Sequence, residues 1–403
     1  MLTLVFAASA LTCIVLSLLF YIYIGSDRDS SVLQFINSNR GSSSETTRLS
    51  KEFQELLDLI DSRFIGTFDI GDLTDEAMRA VVESLDDDWS YYLTPEEYTE
   101  FLESANNTYY GLGIEVSIDE ETEGIRVLGV YSDSGADLAG ILVDDLIIAI
   151  DGDSILGFSI NEVRLKLRRQ LGDSAVLTVI RDDEHLEITA VYNIVFRNPV
   201  TFEMLDNNIG YVVLRNFEDG SADEFISAVN ELIEMGATAF IYDVRNNGGG
   251  RVGEVTDILD FLLPEGEIFI SVDRSGIEKI TRSDEEFIDL PAVVLVNVHS
   301  YSGAEFFAAM LSEYGYAPSV GEQTTGKNRM QTTIPLSNGG AVHISTGHYL
   351  TKNRISLFEA GGFTPEYLVE LSDDELVLLF SGELDKESDR QLQKALSLLE
   401  DLR

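Results

Sequence analysis

Three apolar runs in the second half of the chain fix its architecture more than any other feature: Ile209 to Leu214, Ala239 to Val244 and Val293 to Val298. Each is followed by a stretch with helical spacing of apolar residues, near 221–235, 252–263 and 302–314. Strands alternating with helices bury their apolar faces best as a sheet with helices packed on it, so a layered α/β core is expected here. Upstream, the pattern is different. Gly113-Ile114-Glu115-Val116-Ser117-Ile118 alternates, as do the runs at 125–128 and 175–180, with a helix expected from Asn161 to Arg169. That is the signature of a small β-rich module.

The N-terminus is of another kind. Met1 to Ser26 contains no charged side chain, and Leu4 to Ile24 is almost wholly apolar. About 20 such residues suffice to cross a bilayer. A cleaved signal peptide is the rival reading, but no basic region precedes the run and Ile22-Tyr23-Ile24-Gly25-Ser26 is a poor cleavage site. A single-pass anchor in the cell membrane is expected, with the body outside the cytoplasm. The only cysteine, Cys13, lies within this run, so no disulfide within the chain can form. The chain thus divides into an anchor (1–25), a serine-rich linker (26–50), a helical region (51–105) with Phe53, Leu56, Leu57 and Ile60 at helical spacing, the β-rich module (106–195), the α/β core (196–375) and a C-terminal helical region (376–403). The formal charge of −44, from 27 basic and 71 acidic residues, excludes nucleic acid as a partner, since phosphate binding needs clustered Lys and Arg.

Four stretches could carry chemistry. Ser302 follows a strand in Asn297-Val298-His299-Ser300-Tyr301-Ser302-Gly303-Ala304-Glu305. With Glu305 it fits a capping box, and most serines there are only caps. Yet N–H groups at a helix start favour an oxyanion, and the Gly303 N–H is well placed to supply one donor. Lys327, in Gly321-Glu322-Gln323-Thr324-Thr325-Gly326-Lys327, could serve as the base if burial keeps its amine neutral. Gln331 lies four residues on, where a helix or a strand would bring it to the same face. Asp243 to Gly250 forms a glycine-rich turn after a strand, lacking the Lys-Ser/Thr ending of a phosphate loop. Tyr110-Gly111-Leu112-Gly113-Ile114 precedes a strand, where backbone N–H groups can capture a peptide carboxylate. No HExxH and no Cys/His metal spacing is present, so neither a metal nor another cofactor is expected.

Together these segments resemble the carboxyl-terminal processing proteases, or tail-specific proteases. Leu85-Asp86-Asp87-Asp88-Trp89-Ser90-Tyr91-Tyr92 looks like the family's L-x-D-x-x-S-x-Y. Gly111-Leu112-Gly113-Ile114 looks like the G-x-G-hydrophobic loop of its PDZ domain, and Asp145 to Gly152 like D-x-I-x-x-V-x-G. Ser300-Tyr301-Ser302-Gly303-Ala304-Glu305 resembles S-A-S-A-S-E, and Gly321 to Lys327 resembles G-E-x-T-x-G-K. Arg245-Asn246-Asn247-Gly248-Gly249-Gly250 resembles R-x-N-P-G-G. Tyr301, Gly303 and Ala304 depart from the family's Ala, Ala and Ser, and Gly248 from its Pro.

The resemblance implies an α/β multidomain protein: an N-terminal membrane helix, a helical segment, a PDZ-like domain and a crotonase-like serine peptidase core. It implies Ser302 as nucleophile, Lys327 as base and Gln331 as its support. The oxyanion donors would be Gly303 and Gly249, with Gly250 as the neighbouring candidate. Gly111, Leu112, Gly113 and Ile114 would bind the apolar C-termini of protein or peptide substrates, and Arg168 would couple that domain to the active site. Pairing of two copies through the terminal helices is also implied. The competing expectation is a pseudoprotease that binds protein tails without cutting them.

Overall fold

The computed structural model describes residues 43–119, 122–182 and 184–402. The apolar run Leu4 to Ile24, with Cys13, lies outside them, and among the described residues no helix is long and apolar enough to cross a membrane. The chain divides into two units, one ending at Thr74 and the other running from Asp75 to the C-terminus. In the first, a helix spans Ser43–Arg63, so it begins inside the stretch read as a linker. Serine-rich sequence suits helix starts as well as tethers, and Arg48 and Glu52 pair at i,i+4 within this helix. The helix Ile70–Glu83 begins where Asp69 accepts the Gly71 N–H (2.6 Å) and caps it.

The core of the second unit is a six-stranded sheet in the order Val200–Leu205, Ile209–Leu214, Ala239–Asp243, Ala292–Val296, Ser319–Gly321 and Tyr367–Leu368. Its first pair is antiparallel and the rest are parallel. Alternation decides which face each residue meets. Val212, Leu214, Phe240, Tyr242, Val294 and Val296 face the helices Ser221–Glu234, Val252–Leu262 and Gly303–Glu313. Ile209, Tyr211, Ile241, Val293 and Leu295 face the C-terminal helix Arg390–Leu402 through Leu392 and Leu399. With both faces covered, the strands read as unbroken apolar runs.

A second, antiparallel sheet is not apparent in the sequence spacing. It joins Tyr91–Leu93, Ala341–Leu350, Gly266–Asp273 and Glu278–Ser283, with Arg329–Pro335 also paired to Ala341–Leu350. Many of its residues are part-exposed, which blurs the alternation. The β-rich module is a separate sheet, ordered Ile114–Ile118, Ile125–Val130, Leu146–Ile150, Ser174–Arg181 and Glu184–Val191. The helix Ile160–Lys166 packs on its core through Val163. A short ribbon, Thr108–Gly111 with Asn193–Phe196, brings the two ends of the module together.

One buried ion network holds the glycine turn to the sheet. Arg245, almost fully buried, donates to Asp243 Oδ2 (2.6 Å), pairs with Asp389 (2.8 Å) and donates to Gln391 Oε1 (3.1 Å). Asp389 also accepts the N–H groups of Gln391 and Leu392 (3.1 Å each), capping the C-terminal helix. The arginine of the turn is thus a structural anchor. Asp389→Ala removes a cap and leaves the Arg245 charge short of a partner, so a loss of about 3 kcal/mol is expected from the denaturant midpoint. Asp389→Asn, which keeps the cap, should lose less.

Candidate active site

Ser302 sits where the strand Ala292–Val296 gives way to the helix Gly303–Glu313. Its φ of 56° and ψ of −120° lie outside the regions open to most side chains. Such strain persists only where the surroundings enforce it, and it gathers at functional sites. The constraint is visible here. Asn297 accepts the Asn246 N–H (2.9 Å) and donates to Asn246 Oδ1 (2.7 Å), tying the serine loop to the glycine turn. The Tyr301 N–H donates to the Asn247 carbonyl (3.2 Å). Ser300 belongs to this scaffold: it is fully buried and donates to the Val244 carbonyl (2.7 Å). Ser302, by contrast, is partly open to solvent.

Glu305 has no exposed surface, yet its carboxylate accepts from four directions. Oε1 takes the N–H groups of Ser302 (2.9 Å) and Lys327 (2.6 Å). Oε2 takes the Gly326 N–H (2.8 Å) and the Thr324 hydroxyl (2.6 Å). A single oxygen therefore bridges the backbones of Ser302 and Lys327, residues far apart in sequence. Burial pushes the Glu305 carboxyl above its ordinary range, against the pull of these hydrogen bonds.

Lys327 is half-buried, and its Nζ lies 4.2 Å from the centroid of the Trp89 ring. Burial lowers its pKa from the ordinary lysine value, while the charges of Asp87, Glu305 and Glu218 oppose the shift. No hydrogen bond joins Nζ to Ser302 among the described residues. Tyr349, buried, donates to the Lys327 carbonyl and fixes the backbone there. No hydrogen bond joins Gln331 to the lysine among the described residues. Lys327 precedes the strand Arg329–Pro335, whose register shifts between Met330 and Gln331, so the same-face argument does not hold. Gln331 Nε2 donates instead to Ser345 Oγ (3.2 Å).

Gly249 lies against the serine turn. A Cβ there would stand 2.6 Å from Gly303 N and 2.8 Å from Ser302 Cβ, and its φ is +88°, so only glycine fits. Its N–H, however, donates to Asn247 Oδ1 (2.8 Å). The N–H groups of Gly250 and Gly303 have no acceptor among the described residues. Nearby, Tyr301 brings its hydroxyl against Gly248 and its ring within 6.1 Å of Trp89.

In the β-rich module, Gly111 to Ile114 lines a groove beside the edge strand Ile114–Ile118, opposite the helix Ile160–Lys166. Gly113 has φ +82°, and a Cβ there would clash with Ser134, so the loop needs glycine. The N–H groups of Leu112 and Gly113 have no acceptor among the described residues. Arg168 lines the same groove and lies 3.8 Å from Glu100. Among the described residues no cluster of His, Cys, Asp or Glu could hold a metal ion.

A strained serine on a strand-to-helix turn, a half-buried lysine tied to it and a peptide-groove module define a serine peptidase that carries a PDZ domain. The comparisons agree. Residues 208–369 match the model of Peptidase family S41, and residues 126–181 match a PDZ domain. The chain is 30% identical over 334 residues to a carboxyl-terminal-processing protease of Picosynechococcus, covering 81% of this chain and 79% of that one. It is 29% identical over 367 residues to the carboxy-terminal processing protease CtpA of Bacillus subtilis, covering 89% of this chain and 78% of that one. A crystal structure of a Bacteroides fragilis protein assigned to the S41 proteases shares the fold, with a TM-score of 0.52 at 17% identity over 81% of this chain and 90% of that one. The chain belongs to the carboxyl-terminal processing protease family and is a serine peptidase acting on peptide or protein substrates.

Trp89, Asn247, Asn297 and Tyr349 join the site without being singled out by the sequence. Trp89 lay in a family motif, but nothing local ties it to a lysine 238 positions later. Glu305→Gln gives the direct test of the bridge. One carboxylate oxygen becomes an amide donor facing groups that also donate, so a stability loss of about 2 kcal/mol and at least a tenfold fall in kcat/KM are expected.

Proposed function

We propose that the protein is a membrane-anchored serine endopeptidase with a Ser302/Lys327 dyad, acting on substrates recognised by their C-terminal tails through the PDZ domain. The observation that carries this reading is the Glu305 oxygen shared by the amides of Ser302 and Lys327. The reading is supported further by the strained backbone of Ser302 and by the burial that depresses the pKa of Lys327. In the first step Ser302 Oγ attacks the scissile carbonyl and its proton passes to neutral Lys327 Nζ. The oxyanion is met by the N–H of Gly303 and by one from the glycine turn. Gly250 suits that role better than Gly249, whose N–H is already held by Asn247. Lys327 then protonates the leaving amine, and deacylation repeats the proton transfers with water as nucleophile.

In the state described, Nζ rests over Trp89 and must swing to reach Ser302 Oγ, a motion its flexible stem allows. A cation over an aromatic face is stabilised by roughly 0.5–2 kcal/mol, so Trp89 favours the protonated, resting amine. Gln331 would support the lysine through its acceptor Oε1, while Nε2 donates to Ser345 Oγ. Arg168 is suited to relay tail binding. Its ion pair reaches Glu100 on the helix Pro95–Ala105, and Arg251, directly after Gly250, donates to the Ala105 carbonyl (2.8 Å) at the end of that helix.

Cleavage of an unfolded protein with an apolar C-terminus, followed across pH, tests the dyad. A base works when neutral, so kcat/KM should rise with pH and level off below the ordinary lysine pKa of about 10.4. Ser302→Ala and Lys327→Ala should each abolish cleavage. Trp89→Leu should move the rising limb to lower pH by roughly half to one unit. Tail binding without cleavage at any pH would sink the dyad. The run Leu4 to Ile24 supports the anchor, which predicts recovery of the full-length protein with membranes and its release when residues 1–25 are deleted.

A further inference from the structure

We propose that the PDZ groove selects tails carrying acidic side chains upstream of their apolar C-terminus. This rests on the tail-binding reading above and names the class of tail. The chain as a whole carries 71 acidic and 27 basic residues, yet the lining of this groove reverses the balance. It holds Arg164, Arg168, Arg169 and Arg197 against the single acid Glu115.

Three of these charges remain available to a ligand. Arg169 is occupied: it pairs with Asp151 and donates to the Ser174 carbonyl (2.7 Å). Arg164 is exposed and pairs with no carboxylate among the described residues. Arg168 faces Glu100 at 3.8 Å, with side chains 77% and 71% exposed, a pair too solvated to neutralise it firmly. Arg197 lies with its guanidinium 4.3 Å from the Tyr109 ring centroid, which orients the group; it and Arg168 also feel the Glu103 carboxylate through space, with no ion pair to it among the described residues.

Their placement fits the upstream part of a tail. A terminal carboxylate meets the free N–H groups of Leu112 and Gly113, and the residues before it pair along the unpaired edge of Ile114–Ile118. The opposite wall is the helix Ile160–Lys166, where exposed Leu165 offers apolar surface. Arg164, on this helix, and Arg168, just past its C-terminal cap Leu167, both line the groove. A side chain of the tail that points across the groove therefore meets cationic groups. At physiological ionic strength the Debye length is about 8 Å, so the net charge of the distant surface is screened and these local arginines decide the preference.

The test measures binding of short synthetic peptides by fluorescence anisotropy to the full-length protein carrying Ser302→Ala. The peptides share one apolar C-terminal end and carry Glu, Gln or Lys upstream; a fourth is the Glu peptide with its C-terminus amidated. At about 0.15 M salt the Glu peptide should bind roughly three- to fivefold more tightly than the Gln peptide, with the Lys peptide weakest. About 1 M salt should close the gap, and Arg164→Glu with Arg168→Glu should reverse the order. Equal affinity for the three free-acid peptides, with the amide failing to bind, would overturn the acidic preference and leave tail recognition standing. Retention of the Glu preference in the double variant would overturn its assignment to these arginines. Binding of the amide as tight as that of the free acid, or binding of no peptide, would bring down tail recognition and the acidic preference together.

Discussion

A single buried carboxylate holds the candidate active site together. Glu305 brings the start of the serine helix and the loop carrying Lys327 to one point, because its two oxygens accept from both. A charged group without exposed surface is tolerated only when fully hydrogen-bonded, and four donors meet that need. The dependence runs both ways. The donors at Gly326 and Lys327 lie outside regular strands and helices, and this carboxylate satisfies them. The asparagines add the third segment: Asn297 with Asn246, and Asn247 with Gly249, lock the glycine turn against the serine turn. The Arg245 network then ties that turn to the far side of the sheet and to the C-terminal helix.

Electrostatics within this frame are a balance of opposed effects. Burial drives Lys327 toward its neutral form, while Asp87, Glu305, Glu218 and the face of Trp89 favour the ammonium. Burial also pushes the Glu218 carboxyl up to about 7, against the pull of Arg251. His343, stacked on Tyr91, is pushed down to about 4 by burial, with Lys327 adding to the effect. The surroundings of Lys327 thus gather groups whose charges are conditional, in a protein whose formal net charge is −44.

Much of the frame was legible in the sequence because it follows short-range rules. The runs at Ile209, Ala239 and Val293 form strands of the α/β core expected of them, and the structure pairs them in parallel. The S-x-x-E at Ser302 caps a helix, and Gly113 stands where a positive φ is needed. The second sheet was hidden because Arg329–Pro335 and much of Ala341–Leu350 are part-exposed and do not alternate cleanly. The helix at Ser43 was read as tether because serine serves both. Gln331 was paired with Lys327 from the resemblance and from its spacing, and the spacing rule requires both residues to sit on one regular element.

The sequence alone determined the alternation of the core strands with their helices, the β-rich module beside that core and the residue types able to act as nucleophile and base, since periodicity and turn chemistry are local. Only the tertiary structure decided which of them meet. It seated the Lys327 amine on Trp89, gave the Gly249 N–H to Asn247 and left that of Gly250 free, and gathered arginines from separate segments into one groove. Those pairings join residues distant in sequence, and what selects them is the packing and hydrogen bonding of the folded chain, which no local spacing encodes.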